Sequence, residues 1–322
     1  MLKIGILGVG HFGKIHINCI REIAEYELVG FYDPNEELSK TVEQQFSLHR
    51  FDSMDELIDA VDVVDVVSTT NTHYECAAAS LRKFKHVFIE KPLVSTVEEA
   101  LKLIDIAREA NVKVQVGHVE RFNPAFIEAS KFIEKPLFIE AHRLSQYKPR
   151  GYDVSVVLDL MIHDIDVVLS VVNSGIRRIS ASGVGVVSDT PDIASARIEF
   201  DNGCVANLTA SRISMKSMRK ARFFQRNSFI SVDFLAKEFD VVGLKDVESN
   251  VQANSILIET PTKGKKEITF SKPPVVISNA IKAEFESFMN AIQKNTIPDV
   301  TLNDGYKSLE VAYEIIGKIG NF

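Results

Sequence analysis

Three side chains of this sequence combine a reactive type with a placement that chemistry can use: Lys91, Asp159 and His163. Lys91 belongs to Glu90-Lys91-Pro92, directly after the apolar run His86 to Ile89. A lysine at the carboxyl end of a parallel strand faces the crevice where such sheets bind ligands. Its ammonium can hydrogen-bond a reacting hydroxyl and stabilise negative charge on that oxygen. Taken alone, it reads as a solvated loop lysine. Asp159 and His163 stand four apart in a run of helical period, which puts both on one face and turns Ile162 and Ile165 to the core. An imidazole titrating near neutral pH can accept a hydroxyl proton, with the carboxylate orienting it or binding a neighbouring hydroxyl. The same pair read alone is a surface or capping pair. Asp159, His163, Asp164 and Asp166 also offer metal-ligand types, but no second histidine lies nearby in sequence, and no metal is expected.

A second constellation concerns a cofactor. Gly8-Val9-Gly10-His11-Phe12-Gly13 follows the run Leu2 to Leu7 and opens a helical stretch. In that setting Gly8 makes the tight turn, Gly10 lets amides approach a pyrophosphate, and Gly13 allows close helix packing, with His11 and Phe12 beside the phosphates. Asp33 ends the next strand twenty residues after Gly13, where a carboxylate binds ribose hydroxyls and repels a 2′-phosphate. NAD is therefore expected rather than NADP. The alternative is a plain βα turn with Asp33 capping a helix before Pro34. After the run Val63 to Val67, the groups of Ser68, Thr69, Asn71 and His73 are placed to line the nicotinamide ribose, while Thr72 would cap the next helix.

The elements needed to position these residues follow from pattern. Through residue 116, short runs (Leu2 to Leu7, Glu27 to Tyr32, His49 to Phe51, Val63 to Val67, His86 to Ile89, Val112 to Val116) alternate with helical stretches, the signature of a doubly wound parallel sheet. Ser53-x-x-Glu56, Thr72-x-x-Glu75 and Ser95-x-x-Glu98 read as capping boxes. From about residue 138 strands dominate. Asp201-Asn202-Gly203 between Ala194 to Phe200 and Cys204 to Ala210 marks a hairpin. Further strands are expected at Ala221 to Gln225, Phe229 to Phe234, Phe239 to Leu244, Ser255 to Glu259 and Glu267 to Phe270, with closing helices at Asn279 to Gln293 and Asn303 to Ile319. The expected fold class is α/β: a Rossmann domain over 1–118, then an α+β domain over 119–322 with a large, mainly antiparallel open sheet. The last helix is a candidate to pack back on the first domain. An uncovered sheet face calls for a second copy, so a homodimer or homotetramer through that sheet is expected.

With 322 residues, 45% hydrophobic and 25% charged, the chain can bury a sizeable core. A net charge of -7 disfavours general binding to nucleic acid or anionic membranes. Cys19, Cys76 and Cys204 are far apart, which supports neither a disulfide framework nor a zinc site, and no export or membrane signal is seen. A cytoplasmic protein is expected. Against the acidic background, Arg212 to Arg226 holds six basic residues in fifteen positions without an acidic one. Such a field suits a phosphorylated ligand gripped by arginine, and equally a solvated edge strand.

The glycine turn, the Ser68 to His73 loop, Glu90-Lys91-Pro92, Gly117 with Arg121-Phe122-Asn123-Pro124, and the run Leu158 to Asp166 together resemble the Gfo/Idh/MocA oxidoreductases over essentially the whole chain. The resemblance implies an NAD-dependent dehydrogenase acting on a sugar-like hydroxyl, with Lys91, Asp159 and His163 meeting at the substrate. It also implies a cis Lys91-Pro92 bond, and a cofactor contacted by Gly8, Gly10, His11, Phe12, Gly13, Asp33, Ser68, Thr69, Asn71, His73, Glu90 and Lys91. Arg121, Asn123, Tyr152, Arg212 and Arg219 are the implied substrate contacts. Thr69 departs from the proline common there, which bears on the shape of its loop. Within the family, Asn202 to Arg212 and the basic segment look like the subgroup of UDP-N-acetylglucosamine 3-dehydrogenases, implying oxidation at sugar C3. A free sugar or inositol-like polyol, an enzyme that recycles bound NAD in place, and a non-catalytic NAD-binding regulator are the competing readings.

Overall fold

The computed structural model describes residues 1–147, 154–247, 255–261 and 264–320. Contacts gather the chain into two compact units: Met1–Phe122 with Asn279–Glu310, and Asn123–Ser278 with Val311–Phe322.

The first unit is built on a five-stranded parallel sheet ordered β2-β1-β3-β4-β5. Its strands are β1 (Leu2–Leu7), β2 (Tyr26–Tyr32), β3 (Val63–Val66), β4 (His86–Glu90) and β5 (Val114–Gly117), interleaved with α1 (His11–Arg21), α2 (Glu36–Phe46), α3 (Met54–Ala60), α4 (Thr70–Arg82) and α5 (Val97–Ala110). Parallel strands covered on both faces need continuous apolar runs. Ile4, Ile6, Val63, Val64, Val66, Val87, Phe88 and Ile89 accordingly have no exposed surface. The run His49 to Phe51 does not form the expected strand. It meets β2 through one bridge, Phe31 with Arg50, flanked by Phe31 N–His49 O and Phe51 N–Phe31 O hydrogen bonds.

The helix starts also differ from expectation. Only the amide of Glu56 reaches the Ser53 hydroxyl at the start of α3. A complete box does form on α5, between Thr96 and Glu99, one residue beyond the expected pair. Thr72 lies inside α4, where its hydroxyl donates to the carbonyl of Thr69, and Thr69 is the N-cap. Several hydroxyl and carboxyl residues at these starts satisfy the same three-residue spacing, so spacing alone leaves a one- to three-residue ambiguity.

The second unit contains α6 (Pro124–Ser130), β6 (Phe138–Leu144), a π turn at Val157–Met161 continuing into α7 (Ile162–Val171), and strands β7 (Ile176–Val184), β8 (Ile193–Phe200), β9 (Val205–Ser211), β10 (Met218–Phe224), β11 (Ser228–Asp233), β12 (Glu238–Asp246), β13 (Ser255–Thr260) and β14 (Gly264–Ser271). They form one nine-stranded sheet, ordered β13-β14-β12-β11-β10-β6-β9-β8-β7. Only the β6–β9 pairing within it is parallel. The expected hairpin joins β8 and β9, with Gly203 at φ 86° and the Asn202 carboxamide accepting the amide of Cys204. One sheet face, carrying Ile139, Ala141, Ala206, Leu208, Ala221 and Phe223, packs on Ile162, Ile165 and Val168 of α7.

Two helices close the chain, α8 (Ala280–Gln293) and α9 (Leu302–Ile319). Asn279 caps α8 by accepting the amides of Ile281 and Lys282. Phe285, Phe288 and Met289 of α8 join the core of the first unit beside Phe88 and Ile6.

Candidate active site

At the carboxyl ends of β1, β2 and β3 the first unit holds a cavity of about 540 Å³. Its wall includes Gly8, Gly10, His11, Phe12, Asp33, Ser68 and Thr69. The glycine turn is shaped by close approach. Gly8 has φ 99°, and a Cβ there would stand 2.5 Å from the Ser68 Cα; a Cβ on Gly13 would stand 2.2 Å from the Gly8 carbonyl oxygen. A Cβ on Gly10, by contrast, would meet nothing within 4 Å. Gly10 is the N-cap of α1, where neither a side-chain cap nor an acidic residue serves the first turn. That bare, positively polarised helix end on the cavity fits a dinucleotide pyrophosphate.

Asp33 anchors the turn that carries it. One carboxylate oxygen accepts the amide of Val9 and the other accepts that of Asn35, each at 2.9 Å. Every carboxylate oxygen accepts more than one bond, so both remain able to receive ribose hydroxyls. Tyr32, Pro34, Leu38 and Met54 form the apolar side of the cavity. Sequence reasoning did not assign these four to the site, because an apolar residue at the end of β2, in the turn after it or at the starts of α2 and α3 carries no periodic signal that it faces a ligand. Among the described residues the cavity wall contains no lysine or arginine to meet a 2′-phosphate, in keeping with NAD.

The Ser68 to His73 loop splits between two jobs. Ser68 and Thr69 line the cavity, and the Ser68 and Thr72 hydroxyls are 2.8 Å apart. Asn71 is exposed on the first turn of α4 and is not part of the wall. His73 is buried away from the wall, with its ring nitrogens 3.0 Å from the Pro92 carbonyl and 3.1 Å from that of Ser68. It therefore ties this loop to the Glu90-Lys91-Pro92 loop. The Lys91-Pro92 bond is cis, as expected. Glu90 also stands back from the cavity wall: its Oε2 accepts the amide of Lys91 at 3.0 Å, and its Oε1 lies 3.2 Å from Nε2 of His16.

In the second unit the run carrying Asp159 and His163 is not the uniform α-helix expected from its period. Asp159 lies within the π turn and His163 in the first turn of α7. Such widened turns recur at functional sites because they re-aim side chains. Ile162 and Ile165 are fully buried, as expected. Asp164, considered above as a metal ligand, makes a two-bond ion pair with Arg143 of β6: Nε to Oδ2 at 3.0 Å and Nη2 to Oδ1 at 2.9 Å, both side chains almost fully buried. The Arg143 guanidinium also lies 5.9 Å from the centre of the Phe234 ring. This pair fixes the helix turn that bears His163. Alternation along Ile139, Ala141 and Arg143 on one face was its available signal, a charge where an apolar residue belongs.

The substrate candidates separate. Asn123 is buried as the cap of α6, accepting the amide of Ala125 and donating to the Phe234 carbonyl. Arg121 faces Asp304 at 3.6 Å. Burial works to raise the Asp304 carboxyl, but hydrogen bonds from Thr301, then the charge of Arg121, hold it below the usual range. Arg212 is mostly buried and donates to the Val154 carbonyl. Each of these three has a partner within the protein. Tyr152 lies outside the described residues. Arg219 is exposed and pairs in register with Arg143, which places it on the sheet face that α7 covers. The remaining basic residues of β10 take the opposite face, Lys220 paired with Asp233 and Arg222 with Glu140.

Among the described residues no helix is long and apolar enough to cross a membrane. Residues 2–118 match the family described as an oxidoreductase family with an NAD-binding Rossmann fold, and residues 130–228 match the GFO/IDH/MocA C-terminal domain. The UDP-N-acetylglucosamine 3-dehydrogenase of Acidithiobacillus ferrooxidans is 33% identical over 293 residues, 90% of this chain and 88% of that protein. A solved structure of the enzyme of that name from the same organism superposes with a TM-score of 0.88 at 30% identity, covering 99% of this chain and 97% of that one. The scyllo-inositol 2-dehydrogenase (NAD(+)) of Bacillus subtilis is 28% identical over 234 residues, 66% of this chain and 68% of that protein.

Proposed function

Since the chain belongs to the Gfo/Idh/MocA oxidoreductases and is an NAD-dependent dehydrogenase of that family, we propose that its substrate is a UDP-linked N-acetylhexosamine whose C3 hydroxyl is oxidised to a ketone. The observation that carries the substrate is the near full-length likeness to an enzyme of that name. Arg219, exposed on the α7-bearing face of the sheet, adds a cation suited to a diphosphate.

Bound NAD supplies the hydride acceptor. His163 takes the hydroxyl proton, the ammonium of Lys91 donates a hydrogen bond to the same oxygen and stabilises its developing charge, and Asp159 orients His163 or a neighbouring hydroxyl. Incubating purified protein with NAD and UDP-N-acetylglucosamine should produce NADH, at a kcat/KM well above that for free N-acetylglucosamine or inositols. NADH formation with an inositol and none with the nucleotide sugar would replace this reading with a polyol dehydrogenase.

A second copy of the chain is the proposed cover for the open face of the nine-stranded sheet. Val205, Phe138, Phe224, Phe229, Val242 and Phe270 stand in register on six neighbouring strands. Phe138–Phe224 and Phe224–Phe229 ring centres lie 5.9 and 4.8 Å apart. All are at least partly exposed in the single chain, although their strand neighbours Ile139, Phe223 and Ile230 are buried on the other face. A continuous apolar row of this kind suits an isologous interface. Sedimentation should show a dimer or tetramer that Phe224→Glu dissociates; a monomeric parent protein would refute the assignment.

A further inference from the structure

Behind Lys91 the first unit gathers titratable side chains that the reaction scheme above does not use. His16 of α1 is wholly buried, with Nδ1 2.8 Å from Oδ2 of Asp65 on β3 and Nε2 3.2 Å from Oε1 of Glu90 at the end of β4. The other oxygen of Glu90 holds the amide of Lys91. Little room remains around Glu90: a Cβ on Gly117 of β5 would stand 2.9 Å from its Oε1. Phe88 and Phe285 pack edge-on to the His16 ring, with centres 6.0 and 5.1 Å away. A line of contacts thus runs from Asp65 through His16 and Glu90 to Lys91.

We propose that His16 is a positioning residue for the oxidation, acting through Glu90, whose carboxylate it holds against the Lys91 backbone and beside the Lys91 side chain. The inference rests on the role given to Lys91. A buried carboxylate needs a cation or several donors. His16 supplies that cation because Asp65 holds its other nitrogen. Burial opposes the imidazolium, yet Asp65 and then Glu90 outweigh it and keep the pKa of His16 well above the ordinary value. Burial likewise works to raise Glu90, and His16, followed by Lys91, overcomes it and leaves the carboxyl below the usual range.

Also facing this line are Glu284 of α8, whose carboxyl is pushed well above the usual range by burial and then by the charge of Glu90, His73 and Tyr26 toward Asp65, and Cys19 toward His16. Without His16, Glu90 loses its main partner. It then takes up a proton in the measured pH range, and its hold on the Lys91 amide and ammonium weakens.

The test is a double-mutant cycle of His16→Gln and Glu90→Gln, with Lys91→Ala as the reference and NAD affinity measured on each protein. His16→Gln should lower kcat roughly 10- to 100-fold while leaving the Kd for NAD within about twofold, since only the reacting geometry is disturbed. The acid limb of its kcat/KM profile should steepen and move to higher pH, because Glu90 now protonates in the measured range. The double variant should be no worse than Glu90→Gln alone. An unchanged acid limb, or losses that multiply, would overturn the inference while the Lys91 reading stands. A Lys91→Ala protein with full turnover would instead remove the Lys91 reading itself. Should His16→Gln fail to fold, Glu90→Gln carries the test. Removing the negative charge beside the ammonium should shift the alkaline limb to lower pH, and an unmoved limb with unchanged kcat would overturn the proposal.

Discussion

Gly10→Ala separates cofactor binding from folding more cleanly than any other single change in the first unit. Gly10 has φ -62° and ψ -155°, an extended conformation open to alanine, and its added Cβ would touch no protein atom within 4 Å. The substitution should therefore leave the cofactor-free protein as stable as the parent or about 0.4–1 kcal/mol more stable, through the stiffer unfolded chain. The methyl would occupy the space where pyrophosphate approaches the α1 amides. Losing one to two charge-assisted hydrogen bonds costs about 3 kcal/mol, and at 1.4 kcal/mol per tenfold that raises the Kd for NAD about 100-fold. With NAD at about 100 times the parent Kd, ligand-induced stabilisation should fall from about 2.7 to about 0.4 kcal/mol. Calorimetric titration gives the first quantity, and thermal unfolding with and without NAD gives the second. Gly13→Ala is the contrast. Its Cβ would strike the Gly8 carbonyl, so the cofactor-free protein itself should lose at least about 1–3 kcal/mol. A Gly10→Ala protein that binds NAD within about threefold of the parent would show that the pyrophosphate does not lie on this helix end.

Two further outcomes follow from buried charge. Replacing one member of the Arg143–Asp164 pair, as Arg143→Met or Asp164→Leu, should destabilise by about 3–5 kcal/mol, and the double replacement should recover most of that, because the single changes strand a buried charge. Urea titrations decide it, and strictly additive losses would mean the two groups do not act as a pair. Glu284 governs the second outcome: burial, then the charge of Glu90, raises its pKa well above 4.5. The folded state therefore keeps a proton that the unfolded chain releases, and stability falls as pH rises above about 4.5. Glu284→Gln should flatten that fall. The comparison belongs between about pH 5 and 6.5, since the raised His16 withdraws its own contribution only as pH climbs above the ordinary histidine value. Equal slopes for parent and variant in that window would refute the upward shift of Glu284.

What a linear reading recovers here is what repeats along the chain. The Rossmann strands other than the run His49 to Phe51, the β8–β9 hairpin and the two closing helices announce themselves by period or by turn residues, and appear close to their expected bounds. The glycine turn is legible for the same reason, since its spacing is a local demand of one βα connection. His16 and Arg143 behave differently: each is a charged-type residue on the apolar face of an otherwise regular element, and each is satisfied by a partner remote in sequence. Asp65 lies 49 positions from His16, and Asp164 lies 21 from Arg143. A period can show that such a residue breaks the pattern; it carries no information about which distant side chain compensates. The π turn through Asp159 escapes for a related reason, because one extra residue in a single turn leaves the apolar rhythm of Leu158 to Ile165 still reading as a regular helix. A buried polar residue that violates its own element's period is thus the most useful signal such a sequence offers. In this chain one of these violations leads through Glu90 to Lys91, and the other leads through Asp164 to the turn carrying His163.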